Sequence, residues 1–314
     1  MFLRKPKFWD QKRLNFISLI LFPFTIVIII NNFLLARFEK TKPKKIFTIC
    51  VGNIYVGGTG KTPLTIKLYQ IIKKISKNVV TAKKFNKNHI DEIKLLKKNS
   101  NFITNSNRHK LISIALKKKV KVIIFDDGLQ DRSINYNLKI ICFDGTSWIG
   151  NGQLLPAGPM REKLDSLKKY DCVVLKNLPK KNKNLINKIR IINKDIKIFT
   201  SKYMVKNIDK FNLKKNYVIF AGIGNFNDFK NLLKNNNFKI IYNFNFPDHH
   251  KYKLEEISKI IEYAKIKNAK ILTTEKDYVK IPKNFQNKIQ KVQIEVKLNR
   301  FNEFRKFIKQ SING

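Results

Sequence analysis

Residues 14–36 (LNFISLILFPFTIVIIINNFLLA) are almost uniformly apolar, and from Lys44 onward short apolar runs alternate with stretches that are apolar on one face only. The first segment predicts a hydrophobic helix. Its uninterrupted part, Phe16 to Ile30, would be only about 22 Å long, short of the hydrocarbon thickness of a bilayer. Adding residues 33–36 supplies the length, but places Asn31 and Asn32 inside the segment and Pro23 near its middle. Three states fit: a membrane-spanning helix, a bent helix inserted in one leaflet, or a cleaved signal peptide. Downstream, GGTGKTP (57–63) reads as a nucleotide-binding loop, which needs cytoplasmic ATP and so argues against cleavage. Arg4, Lys5, Lys7, Lys12 and Arg13 precede the segment, and Arg37, Lys40, Lys42, Lys44 and Lys45 follow it. Basic residues on both flanks leave the orientation open and attract anionic headgroups by roughly 1 kcal/mol each. Membrane attachment is the expectation; a full span is not required by it.

The remainder predicts alternating strands and helices. IFTICVG (46–52) is a β-branched and aromatic run of strand composition, and LTIKLYQIIKKI (64–75) has helical spacing. Between them lies GGTGKTP (57–63). Strand, glycine-rich turn and helix is the context in which a phosphate-binding loop is credible. Val56, Gly57, Gly58, Thr59, Gly60, Lys61, Thr62 and Pro63 form the candidate nucleotide site. The glycines let backbone amides turn toward phosphate oxygens, Lys61 reaches the β/γ-phosphates, and the Thr62 hydroxyl is a Mg²⁺ ligand. Pro63 falls in the first helical turn, where its missing N–H is harmless. The usual G-x-x-x-x-G-K-[ST] pattern asks for Gly where this chain has Tyr55, so the nest starts at Gly57. Tyr55 is expected to pack against the strand or the neighbouring domain.

VKVIIF (120–125) predicts a second strand, ending in Asp126-Asp127-Gly128. A carboxylate at the C-terminal end of a parallel strand beside the loop suits Mg²⁺, although Asp-Asp-Gly also makes an ordinary polar turn. Two adjacent aspartates could divide the work, one on the metal and one on the loop lysine or substrate. LKIICFD (138–144) and DCVVLKN (171–177) continue the parallel pattern, and GNGQLLPAGPMREKL (150–164) between them is unusually rich in Gly and Pro.

Composition bounds these readings. The 314 residues are 43% hydrophobic and 11% aromatic, and predict a substantial core divided between two domains. The formal charge of +43 admits a nucleic-acid or anionic-lipid partner. Its lysines are scattered throughout (IIKKISKN, ALKKKVK, LPKKNKN), with no basic block interleaved with aromatics, so no nucleic-acid partner is expected. Cys50, Cys142 and Cys172 lie in or beside apolar runs without CxxC spacing, as buried small hydrophobes do, and the four histidines show no zinc-site pattern.

Taken together, the motifs resemble the tetraacyldisaccharide 4′-kinase family. The resemblance runs through KPKFW (5–9), VGNIYVGGTGKTP (51–63), DDGLQD (126–131), GNGQLLPAGPMREKL, FAGIGN (220–225), FPDHHKY (246–252) and LTTEKDYVKIP (272–282). It implies an α/β fold of two Rossmann-like domains with mainly parallel sheets, the first of phosphate-loop NTPase type, plus an N-terminal membrane helix and an active site in the interdomain cleft. Residues 1–40 would be the membrane-associated segment, 41–200 the kinase domain and 201–314 the second α/β domain. The implied reaction is ATP- and Mg²⁺-dependent phosphorylation of the 4′-hydroxyl of the lipid A disaccharide precursor, at the cytoplasmic face of the inner membrane. Lys61, Asp126 and Asp127 would serve catalysis, with Gln130, Asp131, Arg161, Glu162 and Arg108 lining the site and Thr62, Asp127 and Glu162 on the metal. The family's Asp–His pair falls on Asp91 and His249.

Departures accompany the resemblance. The family's S-R-G-Y-G and G-D-E-P stretches are replaced by SKNVVTAKKFNKNHIDEIKLL (76–96), where Lys83 or Lys84 stands in for the missing Arg. Asp131 replaces a family His, which would add negative charge near metal or phosphate. Position alone would make PDHHKYKLEEISKII (247–261) a turn and helix with Asp248 as N-cap. Two alternatives remain beside the kinase reading: a phosphate-loop enzyme acting on RNA, and a catalytically weakened membrane-bound homologue.

Overall fold

The computed structural model of the chain describes residues 6–11, 15–36, 43–131, 133–179 and 184–314. Arg4, Lys5, Lys12, Arg13, Arg37, Lys40 and Lys42, on which part of the basic-flank expectation rests, lie outside them. Two compact units divide the chain, and they interleave in sequence. The larger takes residues 5–85, 100–202 and 297–314; the smaller takes 86–99 and 203–296. Contiguous boundaries at 40/41 and 200/201 do not follow this division. Residues 86–99 leave the larger unit between two strands that pair with each other, and the C-terminal helix returns to it.

In the larger unit the chain runs β1 (Phe47–Gly52), α2 (Lys61–Lys73), β2 (Val79–Lys84), β3 (Phe102–Asn105), α4 (Arg108–Lys117), β4 (Val122–Asp126), β5 (Leu138–Asp144), β6 (Cys172–Lys176), α5 (Asn184–Ile192) and β7 (Lys197–Val205). Strand β12 (Ile294–Leu298) and helix α10 (Phe301–Asn313) complete it, β7 and β12 each crossing the boundary between the units in sequence. The sheet order is β12-β7-β6-β5-β1-β4-β2-β3, with parallel pairing from β7 through β3. Strands β4 and β6 are buried along their whole length, which is why they read as continuous apolar runs without alternation. The connections leaving β1 and β5 go to opposite sides of the sheet, so the switch point lies at the C-terminal ends of these two strands. A crevice for a ligand forms at such a point. Cys50, Cys142 and Cys172 are free and buried in these strands, and burial pushes the Cys142 thiol up to about 12.

The smaller unit contains α3 (Ile90–Asn99), β8 (Asn216–Ala221), α6 (Phe226–Lys234), β9 (Lys239–Asn245), α7 (Leu254–Ile266), β10 (Lys270–Thr274), α8 (Glu275–Tyr278), α9 (Lys283–Gln286) and β11 (Ile289–Val292). Its sheet, β11-β10-β8-β9, is parallel at every pairing. Alternate side chains of β8 feed two cores. Tyr217, Ile219 and Ala221 pack with Phe229 and Leu233, whereas Val218 and Phe220 pack with Ile257 and Ile260. Helix α7 starts at Leu254, and the Glu256 carboxylate accepts from the Lys253 N–H at 2.9 Å. Asp248 is therefore not its N-cap. The residues between are spent on a turn in which His249 adopts a left-handed φ of 59° and the His250 N–H donates to Pro247 O.

Helix α1 (Phe16–Ala36) carries the apolar segment, with Pro23 inside it. Its N-terminus is tied down: the Asn151 amide donates to Ser18 Oγ at 3.1 Å, and Asn15 Oδ1 accepts from the Ser18 N–H. Large apolar side chains face outward around most of its circumference, including Phe16 (75% exposed) and Val27 (66%). Among the described residues no helix is long and apolar enough to cross a membrane, so the spanning form of the N-terminal helix is not supported.

Candidate active site

The phosphate loop is shaped from beneath by one amide. Asn53, buried at the end of β1, donates from Nδ2 to Tyr55 O and, at 3.0 Å, to Thr59 Oγ1, while its Oδ1 accepts from Lys61 Nζ at 3.3 Å. Gly57 (φ 132°) and Gly60 (φ 91°) take conformations that a Cβ disfavours, and Gly60 is the left-handed N-cap of α2. The loop therefore opens a helix N-terminus, where free N–H groups and the helix dipole favour an anion. Val56 N–H donates to Pro159 O and Thr59 N–H to Gly57 O, which closes the loop on itself and on the Gly/Pro-rich segment. Gly58 O accepts from Lys176 Nζ at 3.3 Å, and Lys176 in turn pairs with Asp144 at 2.8 Å. Pro63 lies in the first turn of α2. Tyr55 is 3% exposed; its ring lies beneath Gly57 and its hydroxyl donates to Asp10 of the N-terminal turn at 3.3 Å. It packs and does not line the nest.

The adjacent aspartates have different surroundings. Asp126 is fully buried and accepts from Lys83 Nζ (2.8 Å), Thr62 Oγ1 (2.9 Å) and Thr65 Oγ1 (3.1 Å). Asp127, in a left-handed conformation, turns its carboxylate to within 3.8 Å of Lys61 and 3.6 Å of Arg161. Arg161 also donates to Gln130 Oε1 at 3.3 Å, and Gln130 Nε2 donates to Glu162 at 3.1 Å. Both Glu162 oxygens accept from the Tyr170 hydroxyl, at 3.1 and 3.0 Å. Asp131 pairs with Arg108 at 2.6 Å and accepts from Ser133, while Arg108 also donates to Asp127 O. Burial raises the Asp131 carboxyl, but the Ser133 and Arg108 hydrogen bonds outweigh it and hold the group below its ordinary value. Its negative charge is matched locally by Arg108.

In the smaller unit, Asp91 and His249 meet although they are far apart in sequence. His249 Nδ1 lies 3.0 Å from each Asp91 oxygen. Lys276 surrounds the pair with positive charge, at 3.4 Å from His249 Nε2, 3.6 Å from Asp91 and 2.9 Å from Asp248; Lys280 is 3.8 Å from Asp91. A lysine ammonium against Nε2 selects the tautomer in which Nε2 accepts and Nδ1–H donates to Asp91. Burial raises the Asp91 carboxyl, but the His249 hydrogen bond and the two lysines together lower it. Burial likewise opposes the charge on Lys276, yet Asp248, Glu92 and Asp91 raise its value, so it is a fixed cation.

Several residues in these two clusters carry no motif-level signal. Asn53 reads as a turn residue, Lys176 as the end of a strand, and Tyr170 as an apolar position. Lys83 and Lys84 are equivalent candidates in the sequence; the structure buries Lys83 against Asp126 and leaves Lys84, the last residue of β2, exposed. Lys276 lies inside LTTEKDYVKIP, but its partners come from residues far away in the chain.

A family model described as tetraacyldisaccharide-1-P 4′-kinase matches residues 16–313. A protein of Pelagibacter ubique (strain HTCC1062) named tetraacyldisaccharide 4′-kinase is 44% identical over 293 residues, 92% of each chain. One of the same name from Rickettsia bellii (strain OSU 85-389) is 34% identical, covering 88% of this chain and 89% of its own. Among solved structures, LpxK from Aquifex aeolicus in complex with ATP aligns with a TM-score of 0.68 over 94% of this chain and 99% of its own. At 23% identity that likeness is one of fold.

Two outcomes follow from the geometry. Lys83→Met strands a fully buried carboxylate and is expected to cost about 3–5 kcal/mol in urea denaturation; an unchanged midpoint would show that Asp126 does not depend on this pair. Asp91 has a depressed folded-state value, so it stabilises the fold above the unfolded carboxyl value of about 3.9 and ceases to as pH falls through the folded one. The stability cost of Asp91→Asn should accordingly be present at neutral pH and shrink in acid. A cost independent of pH contradicts the assignment.

Proposed function

Since the chain belongs to the tetraacyldisaccharide 4′-kinase family, we propose that it transfers the γ-phosphoryl group of ATP to the 4′-hydroxyl of an acylated glucosamine disaccharide, the lipid A precursor, giving lipid IVA. The observation that carries the reading for this chain is the loop from Gly57 to Thr62, whose left-handed glycines open α2 with Lys61 beside Asp127.

Phosphoryl transfer asks the protein for positioning and charge stabilisation more than for covalent chemistry. Backbone amides of the loop and Lys61 bind the β- and γ-phosphates of ATP. Arg161, held by Asp127 and Gln130, adds a second cation for transferring oxygens. Asp91 accepts the proton of the sugar hydroxyl, oriented by Nδ1–H of His249, while Lys276 keeps His249 Nε2 engaged. The 4′-oxygen bonds to the γ-phosphorus, the bond to the bridging oxygen breaks, and ADP leaves with that electron pair. Hard oxygen donors suit Mg²⁺, and the Thr62 hydroxyl and Asp126 carboxylate, 2.9 Å apart, with Asp127 next in the chain, would hold it. When bound, the ion neutralises charge on the β/γ-phosphates. Glu162, engaged by Tyr170 and Gln130, acts in this scheme by fixing Gln130.

The exposed apolar surface of α1 supports attachment to a membrane, and the need for ATP is what favours the cytoplasmic face of the inner one. Burying a large apolar side chain gains about 1.5–3 kcal/mol, and α1 exposes such side chains on nearly every turn. Insertion into one leaflet, with Pro23 inside the helix and basic residues at the headgroups, is the arrangement we favour.

Incubating the purified protein in detergent with labelled ATP and the disaccharide precursor should give labelled lipid; folded protein that transfers nothing would sink the kinase reading. Lys61→Ala should abolish turnover, and His249→Ala should lower it by roughly 100-fold. Near-normal activity of Asp91→Ala would move the base elsewhere, to Asp127 first. For attachment, the double substitution Leu19→Asp, Val27→Asp should release the protein from vesicles containing anionic lipid in a co-sedimentation assay. Undiminished sedimentation would mean that α1 is not the anchor.

A further inference from the structure

Beside the Asp91–His249 pair the smaller unit brings together two histidines and a glutamate whose sequence spacing carries no metal signature. His89 closes the short turn Lys87–His89 that precedes α3, Glu92 lies in the first turn of α3, and His249 sits in its left-handed turn. One imidazole nitrogen from each histidine and one Glu92 oxygen lie within 4.8 Å of one another. His89 Nδ1 is 3.7 Å from Glu92 Oε2 and His249 Nε2 is 3.9 Å from Glu92 Oε1; the two rings meet edge to face at 4.6 Å.

We propose that His89, Glu92 and His249 form a binding site for a divalent transition-metal ion of the zinc type. Two imidazoles and one carboxylate are a recurrent zinc donor set, leaving a fourth position open. The outer contact that such a site needs is already built. A metal-binding imidazole donates its other N–H to a carboxylate, which fixes the ring and strengthens the ligand nitrogen; His249 Nδ1 lies 3.0 Å from both oxygens of Asp91.

Charge points the same way. Asp91, Glu92, Asp248 and Asp277 face Lys276 and Lys280, so with neutral histidines this cluster is acidic by two charges in a chain of formal charge +43. A dication cancels that excess. Ligand atoms bound to zinc at 2.0–2.1 Å stand about 3.4 Å apart, so a pair at the 4.8 Å limit must close by about 1.4 Å. The His89 side chain, 39% exposed, is the least enclosed of the three, and its Nδ1 faces inward, buried. Lys276 is the competitor, since its ammonium lies 3.4 Å from His249 Nε2 and 3.8 Å from Glu92 Oε1. An entering ion displaces it toward Asp248, which it already contacts at 2.9 Å. Bound there, the ion ties up His249, and inhibition of phosphoryl transfer by zinc-type ions follows if the function proposed above holds.

The test reads binding and not turnover, so it stands or falls separately from the kinase reading. Nucleotide-free full-length protein, stripped of metal, is titrated with Co²⁺ and followed by visible absorption, with Zn²⁺ then added as competitor. One Co²⁺ per chain with the intense bands of a four-coordinate ion, displaced by Zn²⁺, is the expected result. His89→Ala and His89→Gln, each checked for native circular dichroism, should weaken binding by at least about 100-fold, the upper end of what loss of an outer contact alone costs. Lys276→Gln should tighten it by roughly tenfold, because a repelling charge is removed, and Asp127→Asn at the phosphate loop should leave the bands in place. Wild-type protein without such bands at millimolar Co²⁺, undiminished affinity in both His89 variants, or weaker binding in Lys276→Gln would each overturn the proposal.

Discussion

The carboxylate of Asp126 has no contact with solvent, and three elements of the larger unit must meet correctly for it to be tolerated. An unpaired charge at that depth would cost several kcal/mol. Lys83 from β2 supplies the opposite charge, and Thr62 and Thr65 from the first turns of α2 supply hydroxyl donors to the two oxygens. The strand order β1-β4-β2 makes this possible, because it seats β4 between the strand that leads into the loop and the strand that carries the lysine. The start of α2 is thereby pinned to the sheet. Lys61 and Gly60, the neighbours of Thr62, inherit that position, so a structural ion pair places the groups that would hold phosphate.

A second constraint acts on the loop from outside. The segment 150–161 meets the phosphate-loop strand through Arg161 N–H to Ile54 O, Val56 N–H to Pro159 O, and the antiparallel bridge between Tyr55 and Met160. It meets the N-terminal turn through Trp9 Nε1–H to Pro156 O and Asn151 N–H to Trp9 O. Its composition follows from the crowding. A Cβ on Gly150 would lie 2.2 Å from Trp9 O, and one on Gly158 would lie 2.2 Å from Asn151 Oδ1. Tyr55 completes the connection through Asp10. Its bulk, odd beside a phosphate loop, joins the loop to the turn from which the apolar helix departs.

What the sequence made legible divides along the range of the interaction. Strand β5 was readable to its ends, Leu138 and Asp144, because burial on both faces of a parallel sheet writes an unbroken apolar run. The phosphate loop was readable because glycine, lysine and threonine act on neighbours a few residues away. The Asp91–His249 pair came from family resemblance alone, since no local rule joins a helix start to a turn so far along the chain. The discontinuous units were hidden for a related reason: residues 86–99 carry no change in composition where they leave the sheet. Asp131 was expected to add negative charge near metal or phosphate. Whether it does depends on Arg108, placed at the first position of α4 by the Asn107 cap, and that placement only the fold reveals.

The charge of the chain also reads differently once its distribution is visible. A formal +43 spread evenly says little about partners. Within the two units, particular lysines serve as fixed counterions: Lys83 for Asp126, Lys176 for Asp144, Lys280 for Asp277, and Lys276 for Asp248 with Asp91 and Glu92. Each of these carboxylates is buried or half-buried beside a loop or turn that the proposed chemistry uses. Ammonium groups on flexible stems can reach such anions without a dedicated backbone geometry, which an arginine fork would demand. A lysine-rich composition therefore makes buried carboxylates easy to accommodate, and the strongest local fields are set by where the carboxylates sit, not by the total charge. At Asp126 the field anchors a loop. At Asp91, where carboxylates outnumber ammonium groups, it leaves an acidic site inside a basic protein, and that imbalance is the physical reason for a cation to be drawn there.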